Sequence, residues 1–148
     1  MRHVAVQREA DAIPIRGLRK SKIGDRKRRD VHASRYTTLS QSFPAVVAFI
    51  ESFAEDEGGK LGRAKIVRLR PGTRVLPHRD RGEYYARRDR YHLILRSAGS
   101  WMRCGDEEVA MHEGELWWFD NKEEHEARNE SQRDRIHLIF EYLESRPA

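Results

Sequence analysis

Seven histidines stand in this chain, and their placement says more than their number. His78 and Asp80 form a His-x-Asp pair directly after the stretch Thr-Arg-Val-Leu-Pro. In an extended chain, residues two apart point to the same side, so this imidazole and this carboxylate can reach one ion. A second imidazole from far along the sequence would complete a two-histidine, one-carboxylate face. Such a face leaves positions open for a bidentate cosubstrate and dioxygen, as in non-haem Fe(II) oxygenases. His125 is the candidate, between two short strands of a barrel that could fold it back beside His78. On spacing alone His-x-Asp is a weak motif, and a surface histidine near an Arg-Asp pair is the plainer reading. His3, His32 and His112 lie in poorly patterned or turn segments and are expected at the surface.

Arg135 follows His125 at the start of the last long strand, Arg135 to Leu143. An arginine turned into a barrel is costly unless a carboxylate meets it. That carboxylate could belong to a dicarboxylic cosubstrate, gripped by both prongs of the guanidinium. It could equally belong to one of the many nearby Asp and Glu residues, in a structural salt bridge. His137 lies two beyond Arg135 on the same strand face, where it is expected to pack or to support the pocket. Cys104, the one cysteine, excludes an intramolecular disulfide and a thiolate zinc cage.

The elements that must position these residues are mostly short strands. Ala64 to Arg70 stops at Pro71-Gly72, and Tyr91 to Arg96 and Ser100 to Cys104 flank a small polar stretch. Val109 to Met111 stops at Glu113-Gly114, and Glu115 to Phe119 stops at Asp120-Asn121. Strands this closely spaced, with no helices between them, predict a β sandwich or barrel rather than parallel βαβ units. Trp117, Trp118 and Phe119 are expected mostly in the core. Before the strands, Ser42 and Pro44 open a helix whose Val46, Phe49, Ile50 and Phe53 make one apolar stripe, closed by Gly58-Gly59. A single domain is expected: a basic segment 1–35, a helical region 36–62 and a strand core 63–143.

Composition sets the outer bounds. In 148 residues, 29 basic side chains oppose 24 acidic ones, a net charge of +5. That balance favours anionic partners without choosing among them. The run Gly17 to Arg35 is dense in Lys and Arg, but no aromatic residues interleave to stack on bases, so nucleic-acid binding is a weak alternative. A charged N-terminus and the lack of a long apolar run predict a cytoplasmic protein without a membrane span.

From Arg63 to Leu143 the sequence resembles the aspartyl/asparaginyl β-hydroxylase family of Fe(II)- and 2-oxoglutarate-dependent dioxygenases. The matching pieces are RLRPGTRVLPHRD, RYHLIL, the Gly114-Glu115 turn with WWFDN, EEHEARN and RIHLIF, in the family's order. The resemblance implies a mostly β fold, a double-stranded β-helix (jelly roll, cupin-like) with one or two packing helices. It implies that His78 and His125 bind iron and that Asp80 is the carboxylate ligand carried by many bacterial members. It implies that Arg135 holds the distal carboxylate of 2-oxoglutarate, and that Arg90 and His92 help bind the cosubstrate's other end. The segment between Asp80 and Arg90 is longer than in the animal and lipid-modifying members, which loosens any transfer of substrate. The acceptor implied is an aspartyl or asparaginyl residue of a protein or peptide, with a free amino acid such as proline or an acyl chain behind it. Arg79, Arg81, Arg87 and Arg88, expected at the site mouth, would suit an acidic acceptor. A cupin-like binding module without turnover is the rival from another class.

Overall fold

The computed structural model describes residues 10–18 and 32–144. Eight strands carry the core: β3 (Lys60–Leu69), β4 (Arg74–His78), β5 (Asp89–Arg96), β6 (Trp101–Cys104), β7 (Glu107–Ala110), β8 (Leu116–Phe119), β9 (His125–Arg128) and β10 (Arg135–Leu143). They pair antiparallel as β3 with β10, β4 with β9, β5 with β8, and β6 with β7. The chain therefore doubles back on itself as one long hairpin. Its tip is the β6–β7 turn, where Gly105 supplies a positive φ of 58°.

Cross-pairings of β10 with β5 and of β6 with β9 roll this hairpin into two sheets. With β1 (Ala10–Gly17) and β2 (Arg35–Tyr36) added at one edge, the first has the order β2-β1-β3-β10-β5-β8, and the other is β4-β9-β6-β7. That is a double-stranded β-helix, the jelly-roll class of fold.

Strand alternation gives the larger sheet two different faces. From β10, Ile136, Leu138 and Phe140 pack toward α1 (Pro44–Glu57), joined by Ala64 and Ile66 of β3 and by Tyr91 and Leu93 of β5. The helix contributes Val46, Phe49, Ile50 and Phe53, the stripe expected from spacing. Phe53 meets Phe140 edge-on, with ring centroids 5.1 Å apart. Pro44 opens the helix as expected, but the cap is Phe43, which makes no side-chain cap bond. Ser42 instead ends a preceding 3-10 turn, Thr38–Ser42. At the far end Gly58 adopts φ 75° and donates to the carbonyls of Ala54 and Glu55.

The opposite face looks toward the smaller sheet. The space between the sheets is apolar at one end, where Ile94, Met102, Met111, Phe119 and Ala127 pack together. Its other end is polar.

Three local expectations are corrected. Ala10–Gly17, read as part of a loose basic segment, forms β1 between β2 (Arg35–Tyr36) and β3. Its signal was hidden because only Ile15 is buried and Pro14 sits at a register shift. His125 opens β9 rather than lying between strands. Trp118 is not core: it is 53% exposed on the outside of an edge strand, while Phe119 turns inward. The basic residues 19–31, on which the nucleic-acid expectation rests, and His3 lie outside the described residues.

The segment after Asp80 is a docked flap. Its one-turn helix α2 (Glu83–Ala86) carries Tyr84, which is fully buried. The Tyr84 hydroxyl donates to Glu141 at 3.1 Å and accepts from the Arg63 N–H at 2.5 Å. The guanidinium groups of Arg63 and Arg88 lie 3.9 and 4.2 Å from the ring centroid. Gly62 allows this docking, since a Cβ there would collide with the Tyr84 hydroxyl. Arg88 is thus buried rather than presented at the mouth, whereas Arg79, Arg81 and Arg87 are exposed.

Candidate metal centre

The rolled hairpin explains why residues so far apart in sequence meet. β4 and β9 are partners, and their register places His78 directly across from His125. The two rings lie 4.3 Å apart, centroid to centroid. Asp80 follows β4 by two residues, and its backbone N–H donates to the Asn121 carbonyl at 3.0 Å. One possible ligand atom from each of His78, Asp80 and His125 lies within 4.8 Å of the others.

Hydrogen bonding at the back of each ring sets the chemistry at the front. His78 Nδ1 lies 2.8 Å from the Leu76 carbonyl, and His125 Nδ1 lies 2.8 Å from the Glu123 carbonyl. A carbonyl only accepts, so each Nδ1 carries the proton and each Nε2 presents a lone pair. Burial is the main cause that lowers the His125 pKa to about 4, so its ring is neutral at pH 7.

Asp80 is held as an anion. Burial works against the charge, but the Arg90 cation and the hydrogen bond from Asn121 oppose it, and the carboxyl stays well below its usual range. Its Oδ2 accepts from Arg90 at 2.8 Å and from Asn121 Nδ2 at 2.8 Å. Its Oδ1 faces His78 Nε2 at 3.5 Å. Two bare imidazole nitrogens and a carboxylate oxygen thus converge, and the buried His125 Nε2 has no hydrogen-bond partner. Convergent acceptors with no donor between them are what a cation resolves, and these residue types suit a divalent first-row metal.

The same cavity is lined by Arg135, Arg90, His92 and Lys65, with Phe119, Met102 and Val75 as apolar walls. Arg135 is 3% exposed and makes no ion pair among the described residues; its Nε lacks any partner. Among the described residues, then, no structural salt bridge accounts for it. Burial alone pulls its pKa down to about 10. Arg90 differs, donating from Nε to Glu141 at 3.2 Å as well as to Asp80. His92 and His137 sit side by side, Nδ1 to Nδ1 at 2.9 Å.

Three contributors were not foreseen. Asn121 was read only as a turn residue, yet it clamps Asp80 through both its side chain and its backbone. Glu141 neutralises Arg90, and its signal was a charged residue at even spacing from Arg135 in an otherwise apolar strand. Lys65 sits on the cavity face of β3, its ammonium pushed below the usual range by burial and by the Arg90 charge.

Comparison with known proteins bears on the family of the chain. Mouse aspartyl/asparaginyl beta-hydroxylase is 31% identical over 99 residues, 66% of this chain, and the human protein is 30% identical over the same length. The chain spans 13% of the length of these curated relatives. Among solved structures, a cupin 2 barrel protein from Salinispora arenicola is 10% identical, with a TM-score of 0.42 over 53% of this chain and 60% of that one. A cupin domain from Bordetella pertussis is 15% identical, with a TM-score of 0.45 over 56% and 82%. The pattern of the aspartyl/asparaginyl beta-hydroxylase family matches residues 27–145, taking in both strands of the metal site, the docked flap and Arg135. On that match the chain belongs to the aspartyl/asparaginyl beta-hydroxylase family.

Proposed function

We propose that this chain is a hydroxylase that binds Fe(II) through His78, Asp80 and His125 and uses 2-oxoglutarate and dioxygen as cosubstrates. The observation that carries this reading is the pairing, in one cavity, of a bare two-histidine, one-carboxylate face with a buried arginine that has no ion pair among the described residues. When bound, the iron supplies the coupled oxidation in which 2-oxoglutarate becomes succinate and CO2 while an unactivated C–H becomes C–OH.

The protein's residues bind, orient and exclude. His78 and His125 offer Nε2, fixed in that tautomer by the carbonyls behind them. Arg90 and Asn121 occupy Asp80 Oδ2 and direct Oδ1 to the metal. Arg135 neutralises the distal carboxylate of the cosubstrate. His92 meets its other end, and Arg90, already bonded to Asp80 and Glu141, adds positive charge there. Phe119, Met102 and Val75 keep bulk water from the reacting centre. The acceptor proposed is an aspartyl or asparaginyl side chain of a protein or peptide, and Lys65 is placed to favour an anionic group at the cavity.

The test is anaerobic addition of Fe(II) and 2-oxoglutarate, read by their visible charge-transfer band. We expect the band in the wild type, its loss in His125→Ala, and succinate release once oxygen and an acceptor peptide are added. A wild-type protein with neither the band nor succinate release overturns the reading.

A further inference from the structure

Two buried imidazoles, one in the cavity wall and one behind it, have no part in holding the metal. His92 of β5 and His137 of β10 are 2% and 1% exposed, and their Nδ1 atoms lie 2.9 Å apart. Burial lowers both pKa values well below the usual histidine range, helped by the Arg135 charge at each ring and by His137 at His92, so both rings are neutral at pH 7.

Two neutral imidazoles facing each other through Nδ1 share one proton. One ring donates it, and the other accepts and must carry its own proton on Nε2. Neither Nε2 has a partner among the described residues. The choice therefore decides where an unmatched N–H points. If His92 donates, the unmatched N–H belongs to His137, which is enclosed and does not line the cavity. If His137 donates, the unmatched N–H belongs to His92, which does line it. A donor left permanently without an acceptor inside protein is the rarer and costlier case. A cavity lined by Arg135, Arg90 and Lys65 is built for an anion, and an anion supplies the missing acceptor.

We propose that His137 is a positioning residue: it donates from Nδ1 to His92, fixes His92 as the Nε2–H tautomer, and so makes His92 a hydrogen-bond donor to the anionic ligand of the cavity. The identity of that ligand as 2-oxoglutarate rests on the function proposed above. His137 touches neither metal nor ligand and acts only through its neighbour.

The full chain, 15N-labelled at histidine and loaded with diamagnetic Zn(II), reads the tautomer directly in long-range proton–nitrogen NMR spectra. Wild type should show His92 protonated at Nε2 alone. His137→Leu removes the donor, and His92 should shift toward Nδ1–H with 2-oxoglutarate binding at least tenfold weaker. His137→Asn places an amide N–H near the lost Nδ1, and should restore the Nε2–H pattern and bring affinity within about threefold of wild type. A merely structural role would not be rescued in this selective way. An Nδ1–H pattern for His92 in wild type, or unchanged affinity in His137→Leu, overturns the inference while leaving the cosubstrate reading intact. A wild type that binds no 2-oxoglutarate overturns both.

Discussion

The two faces of β10 divide the molecule's labour. Ile136, Leu138 and Phe140 point toward α1 into an apolar layer, where no polar group needs an answer. Arg135 and Ile139, on the alternate positions, line the cavity, and His137 and Glu141 share their period. Both faces are buried, so burial alone does not separate them. What separates them is whether their polar atoms are satisfied. Among the described residues the helix face is apolar and asks for no ligand, whereas the cavity face leaves Arg135 Nε and His92, His137 and His125 Nε2 without partners. Stability should reside on the first face and function on the second, each obtained at some expense to the other.

Phe140→Ala should break the first face and have the largest effect. Phe140 is fully buried, stacks on Tyr91 and meets Phe49 and Phe53 edge-on. Its truncation should cost about 3–5 kcal/mol in urea unfolding. Protein that remains folded should keep its metal and 2-oxoglutarate affinity. A loss below about 1 kcal/mol would show that α1 is loosely docked.

Acid should act on the second face. A histidine whose folded pKa is depressed is neutral in both states above about pH 6.5, the ordinary value, and contributes nothing there. Below that, the unfolded chain takes up the proton first, so stability falls with pH until the folded pKa is passed. For His125, with a folded pKa of about 4, the window is pH 6.5 to 4 and the loss is about 3 kcal/mol at about 1.4 kcal/mol per unit. His92 and His137 add to it in the same direction. Asp80, also depressed, adds a further loss as pH falls through the ordinary carboxylate range. Unfolding of metal-free protein at pH 7 and pH 5 should show this slope. Phe140→Ala should lower the curve without changing the slope, and His125→Phe should flatten it.

The contrast between the faces also explains what could be read before folding. The helix stripe Val46, Phe49, Ile50 and Phe53 and most strands were legible because apolar periodicity is a local signal. His78, Asp80, His125 and Arg135 were legible as residue types in a familiar order, and the structure brings all four to one cavity. The partners that tune them were not. Asn121 reaches Asp80 from the β8–β9 connection, and Glu141 reaches Arg90 from a neighbouring strand. Such contacts depend on register, which spacing does not reveal. Trp118 misled for the complementary reason: an apolar residue on an edge strand has the same sequence signature as one in the core.

Arg135→Met tests the division at a single side chain, with the smallest expected change in stability. Methionine roughly preserves the length of the arginine stem and removes its charge. In the free protein Arg135 is a buried cation with no ion pair among the described residues, and burial alone depresses its pKa to about 10. Replacing a buried, uncompensated charge with an apolar side chain is stabilising, here by about 1–2 kcal/mol. The same substitution removes what is, among the described residues, the one cavity-lining guanidinium not already bonded to a protein carboxylate, so 2-oxoglutarate affinity should fall at least 100-fold. Metal affinity should hold, because no contact joins Arg135 to His78, Asp80 or His125 among the described residues. Urea unfolding and 2-oxoglutarate titration of one protein sample therefore move in opposite directions. A variant that is destabilised and still binds 2-oxoglutarate would make Arg135 a structural residue and erase the distinction between the two faces of β10.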